Sequence, residues 1–180
     1  MIRLNLALLF VIPLNLIAQQ KLEFIGENID FNIDGNRFSI NGIYYFVNGS
    51  DHEVWKTILF PFAQNTDSAV VKRVYNLTYS ENLSYHPLNN AITFKMRILS
   101  RDTVMVNIAY SQKTVKENTY ILESTQTWGQ ALKRANYSLT VDTSVQIDSL
   151  SLKPDGVNNH VYFWSKQDFY PTEDFIVWIR

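Results

Sequence analysis

The chain contains no cysteine. That excludes disulfide staples, thiolate nucleophiles, zinc ribbons and iron–sulfur ligation. Glycine and proline are scarce as well, at 6 and 5 of 180 residues. So few glycines cannot build a phosphate-cradling loop, and the composition is not that of a low-complexity or disordered chain. Neither charge sign dominates: 16 Lys+Arg face 17 Asp+Glu, a formal charge of −1. There is thus no electrostatic footprint for nucleic acid or for an anionic membrane surface. Only three histidines occur, His52, His86 and His160, and no two have the spacing of a helical or hairpin metal site. We find no nucleophile elbow of the G-x-S-x-G kind, and no metal or cofactor motif.

One long apolar run is present, at residues 6–18, preceded by Arg3 and followed by Gln19-Gln20-Lys21. A basic start, an apolar middle and a small residue before a polar stretch make a secretion signal, with cleavage expected after Ala18. The run is too short for a transmembrane helix, and Pro13 and Asn15 interrupt it. With no cysteine following, a lipid anchor on an N-terminal cysteine is excluded. The expected organisation is a signal peptide at 1–18 and one domain at 19–180, without a membrane span after cleavage. The protein is then exported, periplasmic or extracellular.

What is abundant is aromatic residues, 4 Trp, 10 Tyr and 11 Phe, and alternation with period 2. Ile29, Phe31 and Ile33 alternate with polar residues, Asp34-Gly35-Asn36 offers a tight turn, and Phe38, Ile40, Tyr44 and Phe46 continue beyond it. That pattern predicts a hairpin, with Gly42 marking a bulge or a close backbone approach. Residues 91–99 and 103–111 alternate in the same way across a three-residue polar link and predict a second hairpin. Further strands are expected near residues 54–62, 70–77, 119–122, 137–141, 145–147, 161–164 and 175–179, with a further stretch at 81–90 that ends in a turn at 87–90. The one stretch with helical composition is 125–135, good for a turn or two. About ten short strands with at most one short helix imply an all-β protein, an antiparallel β-sandwich. A small outer-membrane barrel is the competing architecture, since it too alternates and is exported.

Candidate chemistry is sparse. Asp30, Asn32 and Asp34, followed by Gly35, mimic the start of a calcium loop, but Asn41 stands where the closing Glu belongs. The hairpin turn explains the same residues. Asp168, Glu173 and Asp174 lie near Trp164, Phe169 and Tyr170 in a polar loop, where a hydrolase could find two acids. Asp51-His52-Glu53 is a compact polar triplet that reads as a solvated loop. Among the tryptophans, Trp55 and Trp128 are the best candidates for an exposed, ligand-stacking surface. Asn48, Asn76, Asn82 and Asn136 each begin a glycosylation sequon, matches expected by chance in an Asn-rich chain.

Two stretches resemble a known group. The strand–turn–strand of residues 22–62, with Asn48-Gly49-Ser50-Asp51 and Phe60-Pro61-Phe62, and the later Thr125-Gln126-Thr127-Trp128 before Tyr137-Ser138-Leu139-Thr140-Val141, are similar to exported bacterial β-sandwich domains of unknown function. The Asn-, Ile- and Lys-rich composition with its Ala18-Gln19-Gln20 junction also resembles exported proteins of the Bacteroides group. The resemblance implies fold and address, and supplies no catalytic residue. The function expected from all this is non-catalytic: a binding or structural module presenting loops and aromatics, Trp55 and Trp128 first, to a protein or glycan. A hydrolase using loop carboxylates or histidines, and the membrane barrel, are the alternatives.

Overall fold

In the computed structural model the described residues are 22–63 and 69–180. The secretion signal expected at 1–18 lies outside them.

The Asp34 turn forms as its residues dictate. The Asp34 carboxylate accepts the N–H groups of Asn36 and Arg37, both at 2.7 Å, and closes the chain between β1 (Leu22–Ile33) and β2 (Arg37–Asn48). No metal is needed to explain this acidic run, and among the described residues no three His, Asp or Glu side chains gather as a metal site. Alternation puts Ile29, Phe31, Ile33, Phe38, Ile40, Tyr44 and Phe46 on one buried face.

Around this hairpin an eight-stranded sheet grows. On one side β1 pairs in parallel with β10 (Leu132–Val141), which pairs with β13 (Val161–Phe169) and then β12 (Gly156–Asn158). On the other side β2 pairs with β8 (Thr103–Lys113), followed by β4 (Val70–Asn76) and β5 (Glu81–Asn82). The parallel β1–β10 pair makes the sheet mixed, a correction to the antiparallel arrangement expected. Parallel neighbours require a long crossover, and here nearly a hundred residues separate the two strands. Gly26, beside a bulge in the β1–β2 pairing, allows their close approach: a Cβ there would lie 2.6 Å from the Arg134 carbonyl oxygen.

Two three-stranded sheets cover the apolar face. One contains β3 (Val54–Pro61), β7 (Ala91–Ile98) and β6 (Tyr85–Leu88); the other contains β11 (Ile147–Leu150), β14 (Phe175–Ile179) and β9 (Glu117–Tyr120). Both pack on the same side of the large sheet. Phe60 of β3 meets Tyr44 at 5.3 Å and Tyr110 at 6.0 Å, while Phe175 of β14 stacks on Phe31 at 4.3 Å. The fold is therefore layered and all-β, but among the described residues it has fourteen strands in three sheets rather than about ten in a simple sandwich.

Two more expectations are corrected. Residues 91–98 and 103–113 are strands, yet they do not pair: β7 bonds to β3 and β6, and β8 bonds to β2 and β4. Both point their apolar residues inward from opposite layers, so the link between them is an arch, not a hairpin. Alternation reports which face is buried and says nothing of the hydrogen-bonded neighbour. The buried amide of Asn48 holds this arch, its Nδ2 donating to the carbonyls of His52, Ile98 and Leu99. The helical segment is a 3-10 turn at Glu123–Trp128 alone; residues 132–135, rich in helix formers, belong to β10. Packing in the central sheet overrides weak propensity there. The barrel alternative fails on the topology: among the described residues the large sheet ends at β12 and β5 without closing. Its apolar side chains also face the inner layers, the reverse of a barrel in lipid.

Candidate functional site

Where two small sheets cover one large sheet, a seam is unavoidable, because their facing edges share no hydrogen bonds. Along this seam, between β3 and β9 with the 3-10 turn after it, lies a cavity of about 320 Å³, within the size range of small-molecule sites. Six consecutive β3 residues, Lys56 to Pro61, line it, so the strand offers its edge and not just one face. Phe24, Tyr44, Phe46 and Ile108 supply the wall from the large sheet; Tyr120, Thr125 and Trp128 come from the other side. The character is aromatic and apolar.

One acid interrupts it. Glu27 belongs to the cavity wall and is 2% exposed; among the described residues it is the only carboxylate there, and Lys56, exposed, is the only cation. Glu27 follows from the register of β1, in phase with Ile29, Phe31 and Ile33, opposite Tyr44 of β2. Its partners are phenols: Tyr137 donates to Oε1 at 2.7 Å and Tyr120 to Oε2 at 3.4 Å, while the Tyr44 and Tyr120 hydroxyls lie 3.0 Å apart. With Tyr120 donating to the carboxylate, Tyr44 donates to Tyr120, and the chain of hydroxyls converges on Glu27. Among the described residues no cation is paired with it. Burial pushes the Glu27 carboxyl up from its ordinary 4.5 to about 7, against the opposing pull of the Tyr137 and Tyr120 hydrogen bonds. Burial first, and the nearby Glu27 charge second or close behind, raises Tyr44, Tyr120 and Tyr137 well above 10, so they remain donors.

Tyr44 is placed by a glycine. The ring of Tyr44 folds back over Gly42 and occupies the space a Cβ would take; the glycine answers to a side chain rather than to the bulge or close backbone approach expected there. Gly42→Ala is expected to push the ring away from Tyr120 and to lower the melting temperature by roughly 3–10 °C, the effect of about 1–3 kcal/mol of overpacking. A thermal melt indistinguishable from wild type would show that the ring moves freely.

The residues singled out from the sequence are dispersed. Trp128 is in the cavity wall, half-buried against Phe24 at 5.9 Å and Phe46 at 5.6 Å. Trp55 is not; it is 56% exposed on β3, donates to Glu53 at 2.7 Å and lies under the Lys95 ammonium at 5.0 Å. Asp174 is spent on structure, its carboxylate accepting the N–H groups of Leu122 and Glu123 at the start of the 3-10 turn. Asp168 and Glu173 are exposed. His52, His86 and His160 are exposed too, on the loop after β2, on β6 and before β13. Of the sequon residues, Asn48 and Asn76 are fully buried.

No family model matches the chain, and no curated protein matches it. Solved structures share the fold. A candidate nutrient-binding protein of Legionella pneumophila superposes with a TM-score of 0.65 at 13% identity, over 89% of this chain and 67% of that one. An M1 zinc metallopeptidase of Deinococcus radiodurans, in a variant bound to the peptide Tyr-Ser-Ala, superposes with a TM-score of 0.54 at 9% identity, over 87% of this chain. The chain spans 42% of that peptidase. At such identities the likeness is one of fold.

Proposed function

We propose that this chain is an exported, non-catalytic binding module whose ligand site is the seam cavity. The observation that carries the reading is the combination of an aromatic wall and, among the described residues, a single buried carboxylate, Glu27, held by tyrosine hydroxyls. A site for a small organic molecule needs an apolar body to remove water and a few placed polar groups to orient the ligand; both are here. The nutrient-binding description of the Legionella protein, the same fold over 89% of this chain, is in keeping with it. Export rests on the apolar segment at 6–18 and its polar junction. Among the described residues Glu27 faces phenols rather than a second acid, a histidine or a nucleophile, which favours binding as the reading of this site.

Placing the site in the seam shifts it from surface loops to the interior and retains only Trp128 of the two tryptophans first expected. Trp128 then serves as the reporter. Titration of the protein with small aromatic and aliphatic compounds should change its fluorescence saturably, and Trp128→Phe should abolish that change while Trp55→Phe leaves it. Saturable binding untouched by Trp128→Phe would move the site elsewhere.

A further inference from the structure

Ligands of several chemistries would suit an aromatic cavity, but few would suit this one. Its wall brings together Glu27 and the aromatic side chains of Phe24, Tyr44, Phe46, Phe60 and Trp128, and among the described residues no other acid. Glu27 receives hydroxyl hydrogen bonds on both oxygens, one of them at 3.4 Å, which leaves lone pairs unused on each. Removing a carboxylate from water without a counter-charge is costly, and among the described residues none stands opposite it. Aromatic faces stabilise a cation within about 6 Å. An anion would be repelled by Glu27, whose burial keeps water from screening its charge fully.

We infer that the seam cavity takes a compact organic ammonium, a protonated amine on an apolar aromatic or alkyl body, with Glu27 as its counter-ion. This rests on the seam cavity being the ligand site. The ammonium donates to the Glu27 carboxylate, and the body lies among Phe24, Phe46, Phe60 and Trp128. Among the described residues, the ionisable groups near Glu27 are the phenols of Tyr44, Tyr120 and Tyr137, with Tyr110 close enough to feel the Glu27 charge. None of these carries positive charge. Lys56 does, but it is solvent-exposed, where water and salt weaken its repulsion of an incoming cation. Hydrogen bonds to a charged partner are the strong ones, so the ammonium should be preferred over an isosteric alcohol by about tenfold or more.

The test is calorimetric titration of the processed protein at pH 7 with benzylamine, phenethylamine and hexylamine, each beside the alcohol of the same skeleton. The expected result is that at least one amine binds about tenfold or more tightly than its alcohol. Glu27→Gln should remove that preference while alcohol binding persists. Repeating the amine titration in buffers of different ionisation enthalpy should show proton release, since the cation ionises a partly protonated Glu27. Alcohols binding as well as amines would overturn the ammonium assignment and leave the cavity as the site. No binding by either series would overturn both. The wild-type comparison stands even if Glu27→Gln folds poorly.

Discussion

Replacing Glu27 by Gln should make the protein's stability less dependent on pH, and above neutrality should stabilise it. In the folded chain burial raises the Glu27 carboxyl from 4.5 to about 7. Below pH 4.5 the side chain is protonated in both folded and unfolded chains and contributes no pH dependence. Between pH 4.5 and 7 the unfolded chain loses the proton while the folded chain keeps it. The folded state then binds more protons, so stability falls as pH rises through this window and stays low above it. The full loss is about 3 kcal/mol, taking 1.36 kcal/mol per pH unit between the two values. Gln is nearly isosteric and cannot ionise. Other titrating groups act on wild type and variant alike, so the informative quantity is the difference between their melting curves. That difference should shift in favour of the variant by roughly 6–12 °C between pH 4.5 and pH 8. Parallel curves across that range would mean that Glu27 is solvated or paired.

The second large effect belongs to Phe31, the residue where the layers meet. Phe31 is 1% exposed and stacks on Phe175 at 4.3 Å with the rings 7° from parallel, while Tyr120 approaches edge-on at 5.3 Å. Phe38 and Tyr137 complete the cage at 5.7 and 6.2 Å. Nothing nearby can collapse into the hole left by Phe31→Ala without unstacking the sheet of β11, β14 and β9. The expected cost is about 3–5 kcal/mol, a large part of the 5–15 kcal/mol typical of a domain. In urea the midpoint should fall by about 2 M with an unchanged slope. Trp55→Ala is the control: a larger side chain, but 56% exposed, and expected within about 0.5 kcal/mol of wild type. A loss below about 1 kcal/mol for Phe31→Ala would remove the stacked cluster from the core.

Much of this fold could be read in the chain. The β1–β2 hairpin was legible because Asp34, Gly35 and Asn36 combine turn chemistry with flanking alternation. Most strands were legible because period 2 marks burial of one face. Strand partners were not. The runs at 91–98 and 103–113 alternate alike whether they lie side by side or stacked across the core, and only the satisfied edges of β2, β3, β4 and β6 decide for stacking. The parallel β1–β10 pair is equally silent, since nothing local to residues 26–33 names residues 134–141.

The site was hidden for a different reason. Loops, histidines, exposed acids and tryptophans are where a sequence marks a site most openly. The residue that matters sits in a strand. A signal did exist: the phase of Ile29, Phe31 and Ile33, extended back one step, puts Glu27 among core residues. An acid in register with three buried apolar residues needs an explanation, whether a partner, a proton or a ligand. Its tyrosine partners come from β2, β9 and β10, far apart in the chain, so no motif could announce them. Trp128, the one expected residue found in the wall, was chosen for lying between segments; that irregular stretch is what caps the seam.

The state of one carboxyl group decides the site, and carbon-13 NMR of the Glu27 side chain across pH reads it directly. We predict a titration midpoint near the value of about 7 set by burial, moving down when phenethylamine saturates the cavity. A midpoint in the ordinary carboxylate range, unmoved by the amine, would contradict the buried counter-ion and the site built around it.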